Sequence, residues 1–412
     1  MKINELTISG LRAFTDSKFT FLPGMNLLVG VNGVGKTTVL EALRVSLSKI
    51  LPHITSSKSR KESFSIDDIK IGINVLNVLC EFEFDEVKYK LLIQQQPQKY
   101  KDKKTGKPRD HVIETPDLET FTPPLLDKFS EAKNSKSQPL GIFFSTNRSY
   151  ALNKKSSAPP GQSAAFVDSL STSREFNVRS IAEWYYAQEN QPELPALKQY
   201  FKILCEAVHS FLPELQMTEV DASDFLVNKK GTLLRIRQLS DGERGMLSLV
   251  MELTKRLSQA NPGLKNPLTE GQAIVLIDEL DLHLHPSWQR TIVPNLSRTF
   301  PNCQFIATTH SPQIIPSVEP EQIQLIFSDK VIRPEKTKGM DTNWILKHLM
   351  ETEERPHEAM KFIQAVENLI AEGEFEAARK KMLEFKDMRY DLPEWSMLEA
   401  RIARLELMAK GE

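Results

Sequence analysis

The apolar positions of the N-terminal region predict strands on both sides of a glycine-rich loop. Residues 2–9 alternate apolar and polar, which is typical of a half-buried strand. Residues 25–29, MNLLV, form a short apolar run that favours a fully buried strand. A helical pattern follows from about Lys36 to Leu51, and the serine-rich, basic residues 52–65 predict an exposed loop. The alternation over residues 73–96 predicts two antiparallel strands.

The remainder of the chain also combines segments typical of strands with segments that have helical spacing. Residues 141–150 predict a strand ending in a polar turn, and the Ser/Pro/Ala/Gly-rich residues 153–175 predict a long mobile loop. Helical spacing over residues 177–212 is followed by short strands within 216–237. We therefore predict an α/β fold with an N-terminal antiparallel β lobe and an inserted loop and helical lobe at about 150–215.

The last 70 or so residues have a different pattern of apolar positions. Their apolar residues recur at helical spacing, with Gly373 and Pro393 as breaks. We expect a main domain over residues 1–335, followed by a helical C-terminal unit over 341–412.

Composition excludes some classes of protein. The chain has 412 residues, a formal net charge of −1 and three widely spaced cysteines, which we expect to be reduced core residues of a cytoplasmic protein. It has no apolar run of about 18 residues, so we expect no membrane span. The segment 97–110 carries six Lys/Arg, which suits either a solvated loop or a contact with a nucleic-acid backbone.

The loop at residues 30–37, GVNGVGKT, fits the pattern G-x-x-x-x-G-K-[ST] between a predicted strand and a predicted helix. Glycines let the backbone wrap a phosphate chain, and the N–H groups at the helix start attract anions. We expect Lys36 to reach the β- and γ-phosphates and Thr37 to ligate Mg²⁺. The predicted phosphate-binding residues here are Gly30, Asn32, Gly33, Gly35, Lys36, Thr37 and Thr38.

Two further apolar runs end in polar residues suited to nucleotide chemistry. The run AIVLIDE, at 273–279, ends in two acidic residues. We expect Asp278 to be a metal ligand and Glu279 to orient or deprotonate water. QFIATTHSPQII, at 304–315, delivers His310, which can hydrogen-bond a γ-phosphate, although a histidine that only caps a turn is the alternative. The predicted catalytic residues are Glu279, His310 and Lys36.

A second anion site is predicted at LSDGERGMLSLVMEL, residues 239–253, where small polar residues enter a helix. Ser240, Gly242 and Glu243 place a hydroxyl and N–H groups at the helix start, although an ordinary helix cap has the same pattern. One nucleotide does not need two helix starts from distant parts of a chain. A second copy of the protein that supplies the other start would explain the duplication.

These motifs, in this order, resemble an ABC-class ATPase of the RecF/SMC/OLD-like branch, over roughly residues 1–330. The resemblance implies an ABC/SMC-type P-loop ATPase head with ATP and Mg²⁺ as its ligands. It makes Ser240 to Glu243 the signature that closes on a partner's nucleotide and Leu280 to His285 the D-loop. It also implies that Arg12, in GLRAF, lies near the phosphates.

The chain departs from this branch in informative places. About 200 residues separate the two phosphate-binding motifs, and none resembles a long coiled coil, so chromosome tethering is not expected. Only about 100 residues follow His310, and they show no acidic cluster of the Toprim kind, so we expect no intrinsic nuclease. The Q-loop residue is ambiguous between Gln94–Gln96 and the turn at Asn147–Arg148. The C-terminal helices are similar to those of the ATPase subunit of Septu-type anti-phage systems, which works with a separate HNH nuclease.

Three functional hypotheses follow. The first is an ATP-hydrolysing switch that forms a head-to-tail dimer, or an oligomer of dimers, around ATP–Mg²⁺ and controls a separate effector nuclease in anti-phage defence. The second is a RecF-like repair ATPase that binds DNA through the basic segment. The third is a scaffold that binds nucleotide without hydrolysing it.

Overall fold

The computed structural model describes residues 1–101, 108–113, 119–122, 128–146, 161–172, 178–189, 198–221, 224–327, 329–350, 352, 356–390 and 392–409. Its strands are β1 Lys2–Leu11, β2 Phe14–Thr20, β3 Met25–Val29, β4 Leu76–Phe84, β5 Val87–Lys101, β6 Pro108–Ile113, β7 Glu119–Thr122, β8 Leu140–Phe144, β9 Leu215–Val220, β10 Phe225–Lys229, β11 Thr232–Arg235, β12 Ala273–Ile277, β13 Cys303–Thr309, β14 Ile323–Phe327 and β15 Lys330–Ile332.

The helices divide into a head group and a C-terminal group. They are α1 Lys36–Ile54, α2 Lys128–Asn134, α3 Val178–Glu189, α4 Lys198–Phe211, α5 Asp241–Ala260, α6 Pro267–Glu270, α7 Pro286–Gln289, α8 Ile292–Thr299, α9 Thr342–His348, α10 His357–Ala371, α11 Phe375–Asp387 and α12 Glu394–Ala409. Among the described residues, none of these helices combines the length and the apolar character that crossing a bilayer requires.

A mainly parallel sheet positions the candidate site. Its strand order is β15-β14-β3-β13-β12-β8, and only the edge strand β15 runs antiparallel to its neighbour. Val29 of β3 lies opposite Thr309 of β13, and Ile277 of β12 lies opposite Ala307. The carboxyl ends of β3, β12 and β13 therefore meet at one edge, where α/β sheets place ligand chemistry.

Helix α1 lies between the parallel sheet and an antiparallel sheet of order β2-β1-β4-β5, to which β6 and β7 add by pairing with β5. Because both sheets cover α1, 15 of its 19 residues are buried, and its apolar residues join β1 and β4 in one core. This burial explains why α1 continues through Pro52 to Ile54, beyond the predicted end at Leu51.

The predicted inserted helical lobe contains α3 and α4. These helices pack with α5 and with the three-stranded sheet β11-β10-β9. Tyr185 of α3 is buried and lies edge-on to Phe225 of β10, at 6.0 Å between ring centroids. Tyr185 thus lies in the core of this region, whereas the neighbouring Tyr186 is 41% exposed.

The predicted α/β fold is confirmed, and three local predictions were wrong. The basic segment 97–110 is not wholly a loop, because β5 reaches Lys101 and pairs with β6, so its two ends form a hairpin. Residues 161–172 fold into a short 3₁₀ helix, Gln162–Phe166, and turns, with Phe166 buried. In the predicted exposed loop 52–65, Phe64 is only 4% exposed.

The chain divides into two compact units, Met1–Ile345 and Leu346–Glu412. The second unit has its own core, to which α10, α11 and α12 contribute the buried residues Val366, Ile370, Ala378, Met382, Phe385, Trp395, Leu398 and Ile402. A bidentate ion pair between Arg379 and Glu406, at 2.8 Å for each bond, joins α11 to α12.

Candidate active site

The glycine loop between β3 and α1 is shaped by close contacts with neighbouring segments. A Cβ atom at Gly30 would lie 2.6 Å from the carbonyl oxygen of Ile326, and one at Gly35 would lie 2.6 Å from the ring of Phe14. Gly35 also has a φ of 104°, which residues with a side chain rarely adopt. Both positions therefore require glycine, and Phe14 of β2 supports the junction of the loop with α1.

Lys36 begins α1 and folds back across the loop. Its Nζ donates hydrogen bonds to the carbonyl oxygens of Gly30, at 2.8 Å, and Val31, at 2.9 Å. Burial lowers the pKa of Lys36, against the opposing effect of Asp278 and the carboxylates that follow it. The ammonium is thus held inside the loop, close to the negative charges that begin after β12.

Asp278 lies directly after β12, at the carboxyl edge of the parallel sheet. The hydroxyl of Thr37 approaches its two carboxylate oxygens at 3.3 and 3.1 Å. The hydroxyl of Thr308, on β13, donates a 2.7 Å hydrogen bond to Oδ1 of the same carboxylate. The glycine loop, β12 and β13 are therefore joined through one cluster of hydroxyl and carboxylate oxygens.

Glu279 has a backbone conformation that is unusual for a residue with a side chain, with a φ of 49°. Its N–H donates to the Thr308 hydroxyl at 2.7 Å. The N–H of Leu280 donates to the Thr308 carbonyl at 2.9 Å, and the N–H of Leu282 donates to the Glu279 carbonyl at 3.0 Å. A left-handed backbone at a non-glycine residue persists only where contacts with the surrounding structure stabilise it, and such residues cluster at active sites.

The end of β13 is tied to the segment after β12 through Asp281. Its Oδ1 accepts hydrogen bonds from the hydroxyl of Thr309, at 2.6 Å, and from the N–H of His310, at 3.2 Å. Burial and the positive charge of Lys36 lower the pKa of His310, which favours the neutral imidazole. A neutral ring retains one N–H donor.

The start of α5 forms a capping box. The Ser240 hydroxyl donates to Glu243 Oε2 at 2.7 Å and accepts from the Glu243 N–H at 3.4 Å, while the Ser240 N–H donates to Glu243 Oε2 at 3.0 Å. Lys229 of β10 donates a 2.6 Å hydrogen bond to Glu243 Oε1. Burial raises the pKa of Glu243, but these hydrogen bonds outweigh burial and lower it.

Gly242 brings this helix start against the predicted D-loop of the same chain. A Cβ atom at Gly242 would lie 2.7 Å from the carbonyl oxygen of His283 and 3.0 Å from the ring of Trp288. Among the described residues, no hydrogen bond joins Ser240 or Glu243 to the glycine loop. The two predicted anion sites are therefore built separately within one chain.

The other predicted residues are placed as follows. Asn32 and Gly33 are exposed on the loop, and Thr38 is buried in α1. Arg12 has a φ of 47°, and its guanidinium pairs with Asp68 at 2.7 Å. Of the Q-loop candidates, Gln94–Gln96 lie within β5, and Asn147–Arg148 lie outside the described residues.

Three residues of these networks were missed at the level of sequence: Thr308, Lys229 and Phe14. Thr308 had a visible sign, because a pair of threonines stands directly before the predicted catalytic residue His310. Lys229 and Phe14 had none, because their partners lie 14 or more positions away and only the fold brings them together.

Residues 25–315 match a family described as "AAA domain, putative AbiEii toxin, Type IV TA system". The match covers more than half of the chain and includes the glycine loop, Asp278, Glu279 and His310. The chain belongs to this family. It is an ATPase, and the predicted ATPase activity and ATP binding are confirmed.

Two of the curated relatives described here are also named as probable ATPases. The chain is 25% identical to "Retron Ec83 probable ATPase" of Escherichia coli, over 92% of this chain and 82% of the relative. It is 38% identical to "Retron Vc95 probable ATPase" of Vibrio cholerae, over 44% of this chain and 37% of the relative. It is 24% identical to "Septu protein PtuA" of Bacillus thuringiensis, over 76% of this chain and 72% of the relative.

Similar solved structures share little sequence identity with the chain. An SMC head domain from Thermotoga maritima has a TM-score of 0.43 at 12% identity and covers 82% of this chain and all of its own. The structure described as "recombination mediator protein RecF-ATPrS in RecFOR pathway" has a TM-score of 0.40 at 14% identity, over 80% of this chain and 97% of that one.

The residues at the sheet edge fit ATP together with Mg²⁺. Gly33 has a φ of 83° with open space beside it, so its backbone can approach a phosphate closely. The Thr37 hydroxyl and the Asp278 carboxylate, at 3.1 Å, are the hard oxygen ligands that Mg²⁺ takes in proteins.

Proposed function

We propose that this ATPase is a molecular switch in which two copies close head-to-tail around ATP and Mg²⁺. One observation carries the proposal. The edge of the parallel sheet gathers Lys36, Thr37, Asp278 and His310 in one chain, whereas the helix start at Ser240 has no hydrogen bond to that edge among the described residues. A second copy would complete each site with its own Ser240.

Each residue at the edge has a distinct role in this proposal. Lys36 leaves its two carbonyl partners to contact the β- and γ-phosphates, which offer it full negative charge. Glu279 positions the attacking water or takes its proton, and His310 donates to the γ-phosphate. Mg²⁺ held by Thr37 and Asp278 would neutralise phosphate charge.

The partner copy supplies a helix start to the γ-phosphate. The first N–H groups of α5 and its macrodipole favour an anion. Ser240 is held in place by Glu243, and Gly242 is held against His283, so the helix start is pre-shaped before any closure. Closure is favoured only while the γ-phosphate is present, because a ligand shifts an equilibrium through its differential contacts.

The output of the switch is the control of a separate effector in anti-phage defence. Relatives named for retron and Septu systems support this part of the proposal. We infer that the effector is a nuclease of HNH type, as in the Septu-type resemblance. Purification of the native protein from its host, with mass spectrometry of what co-purifies in ATP and in ADP, tests the inference.

Light scattering on a size-exclusion column tests the closure. We expect Glu279→Gln with ATP and Mg²⁺ to double in mass and Glu279→Gln/Ser240→Arg to stay at the mass of the nucleotide-free protein. If both variants have the same mass in ATP, the head-to-tail arrangement is wrong. If native oligomers are already larger, the expected change is the ATP-dependent stabilisation of that oligomer against dilution.

The competing hypotheses predict different results. ATPase activity leaves the non-hydrolysing scaffold without support. The RecF-like hypothesis predicts that duplex DNA stimulates hydrolysis and that charge reversal at Lys101, Lys103 and Lys104 removes the stimulation. A rate that is the same with and without DNA would argue against that hypothesis and would leave the switch unaffected.

A further inference from the structure

One threonine hydroxyl on β13 contacts both acidic residues of the catalytic edge. Thr308 Oγ1 donates to Asp278 Oδ1 at 2.7 Å and accepts the N–H of Glu279 at 2.7 Å. The residue is fully buried, with no exposed surface. A hydroxyl has a single O–H to donate, so the hydrogen bond to Asp278 and the bond from Glu279 fix its rotor in one orientation.

The backbone of Thr308 adds a third contact. Its carbonyl accepts the N–H of Leu280 at 2.9 Å, so one residue of β13 binds three consecutive residues after β12. The φ of 49° at Glu279 lies within this stretch. Left-handed backbone of a non-glycine residue is unfavourable by itself, so contacts from the surroundings must stabilise it.

The register of the sheet explains why position 308 is the one that contacts these residues. Ile277 lies opposite Ala307 in the parallel pair, so the next position on β13 lies beside the end of β12. Side chains alternate between the two faces of a strand. Accordingly, Thr309 contacts a different acid, Asp281.

We propose that Thr308 is a positioning residue for ATP hydrolysis, whose hydroxyl sets both the orientation of the Asp278 carboxylate and the turn that directs Glu279 toward the nucleotide. The inference rests on the roles proposed above for Asp278 and Glu279. Residues that orient a metal-ligating carboxylate change metal affinity or activity by about 10- to 100-fold when they are removed.

Thr308→Val keeps the shape of the side chain and removes the hydroxyl. We expect kcat to fall by about 10- to 100-fold and the Mg²⁺ concentration for half-maximal rate to rise about tenfold. Binding of ATPγS, measured by calorimetry, should weaken in Mg²⁺ and stay unchanged in EDTA. This second readout does not depend on turnover.

The matched control is Thr254→Val on α5. Thr254 is also fully buried, and its hydroxyl has no hydrogen-bond partner among the described residues, so the same change of atoms removes no hydrogen bond from that part of the structure. We expect its kcat and Mg²⁺ dependence to equal those of the wild type. Thr308→Ser and Thr308→Ala form a second pair, in which both variants lose the methyl group and only serine keeps the hydroxyl.

The outcomes separate this inference from the proposed function. An inactive Glu279→Gln beside a Thr308→Val with wild-type kinetics overturns the role of Thr308 alone. A Glu279→Gln that hydrolyses ATP at the wild-type rate overturns the assignment of the catalytic base instead. If Thr308→Val does not fold, the serine and alanine variants decide, and equal impairment of both would exclude the hydroxyl as the cause.

Discussion

The two regions that we predict to bind phosphate differ in how they are built. At the edge of the parallel sheet, Thr37 reaches Asp278 across 241 positions of sequence, and Thr308 reaches it across 30. At the start of α5, Ser240 and Glu243 are three positions apart, and Lys229 is only 14 positions from Glu243. The first region exists only in the finished sheet, whereas the second is largely a local motif. Changes at the edge should therefore affect chemistry first, and changes at α5 should affect stability and closure.

The largest expected effect is at the sheet edge. Glu279→Gln should lower kcat by about 10²- to 10⁴-fold, the usual contribution of a general base, while ATP binding is retained. A phosphate-release assay and a binding titration measure the two quantities. Glu376→Gln, whose side chain is 94% exposed on α11, is the control and should keep the wild-type rate. Loss of binding together with turnover would indicate a structural role for Glu279.

At the start of α5, two glycines give opposite expectations. Gly242→Ala would place a Cβ 2.7 Å from the His283 carbonyl, so we expect a lower melting temperature and slower hydrolysis. Gly245→Ala has open space and lies inside the helix, so it should stabilise the protein by about 1 kcal/mol. Thermal denaturation of the two variants measures the difference. Equal shifts would mean that the contact with His283 does not constrain the helix.

Lys229→Met should cost about 2 kcal/mol of unfolding free energy, because it leaves the buried Glu243 carboxylate without its ion pair. The folded-state pKa of Glu243 is lowered, so the carboxylate contributes stability above its ordinary pKa, and that contribution is lost as pH falls through the folded-state value. The variant should lose less stability over this acidic window. Lys202→Met, at an exposed pair on α4, is the control, with a change near zero.

The smallest expected effect concerns His310. Its folded-state pKa lies below the ordinary value of 6.5, so the unfolded chain binds more protons as pH falls below 6.5. Stability should therefore decrease as pH falls from 6.5 through the folded-state pKa, and His310→Gln should reduce that slope. Melting temperatures of both proteins between pH 5.5 and 7.5, without nucleotide and in EDTA, measure this dependence of stability on pH. The same slope in both proteins would assign the acid sensitivity to other groups.

Sequence patterns predicted the parts of the site that are local. The loop at Gly30–Thr37, the strand before Asp278 and the cap at Ser240 each depend on neighbouring residues, and each lies where its pattern placed the element. Thr308 could not be assigned to Asp278 and Glu279 in advance, because that contact depends on the order and register of strands in the sheet.

The wrong predictions have the same physical origin. Polar, charged residues at 97–101 resemble a loop, yet they extend β5, because pairing with β6 supplies the backbone hydrogen bonds. Phe166 lies in a stretch rich in small residues, and its burial depends on tertiary packing. The composition of a segment does not show which distant residues will pair with it or bury it.

The position of β3 in the middle of the sheet affects the order in which the protein matures on the ribosome. β3 precedes the glycine loop but pairs with β13 and β14, which are synthesised about 300 positions later. Domains emerge N-terminal end first during translation. A nascent chain that has passed the glycine loop therefore still lacks Asp278 and His310, which follow β12 and β13, and we expect ATP to stabilise the protein only after β13 has left the ribosome.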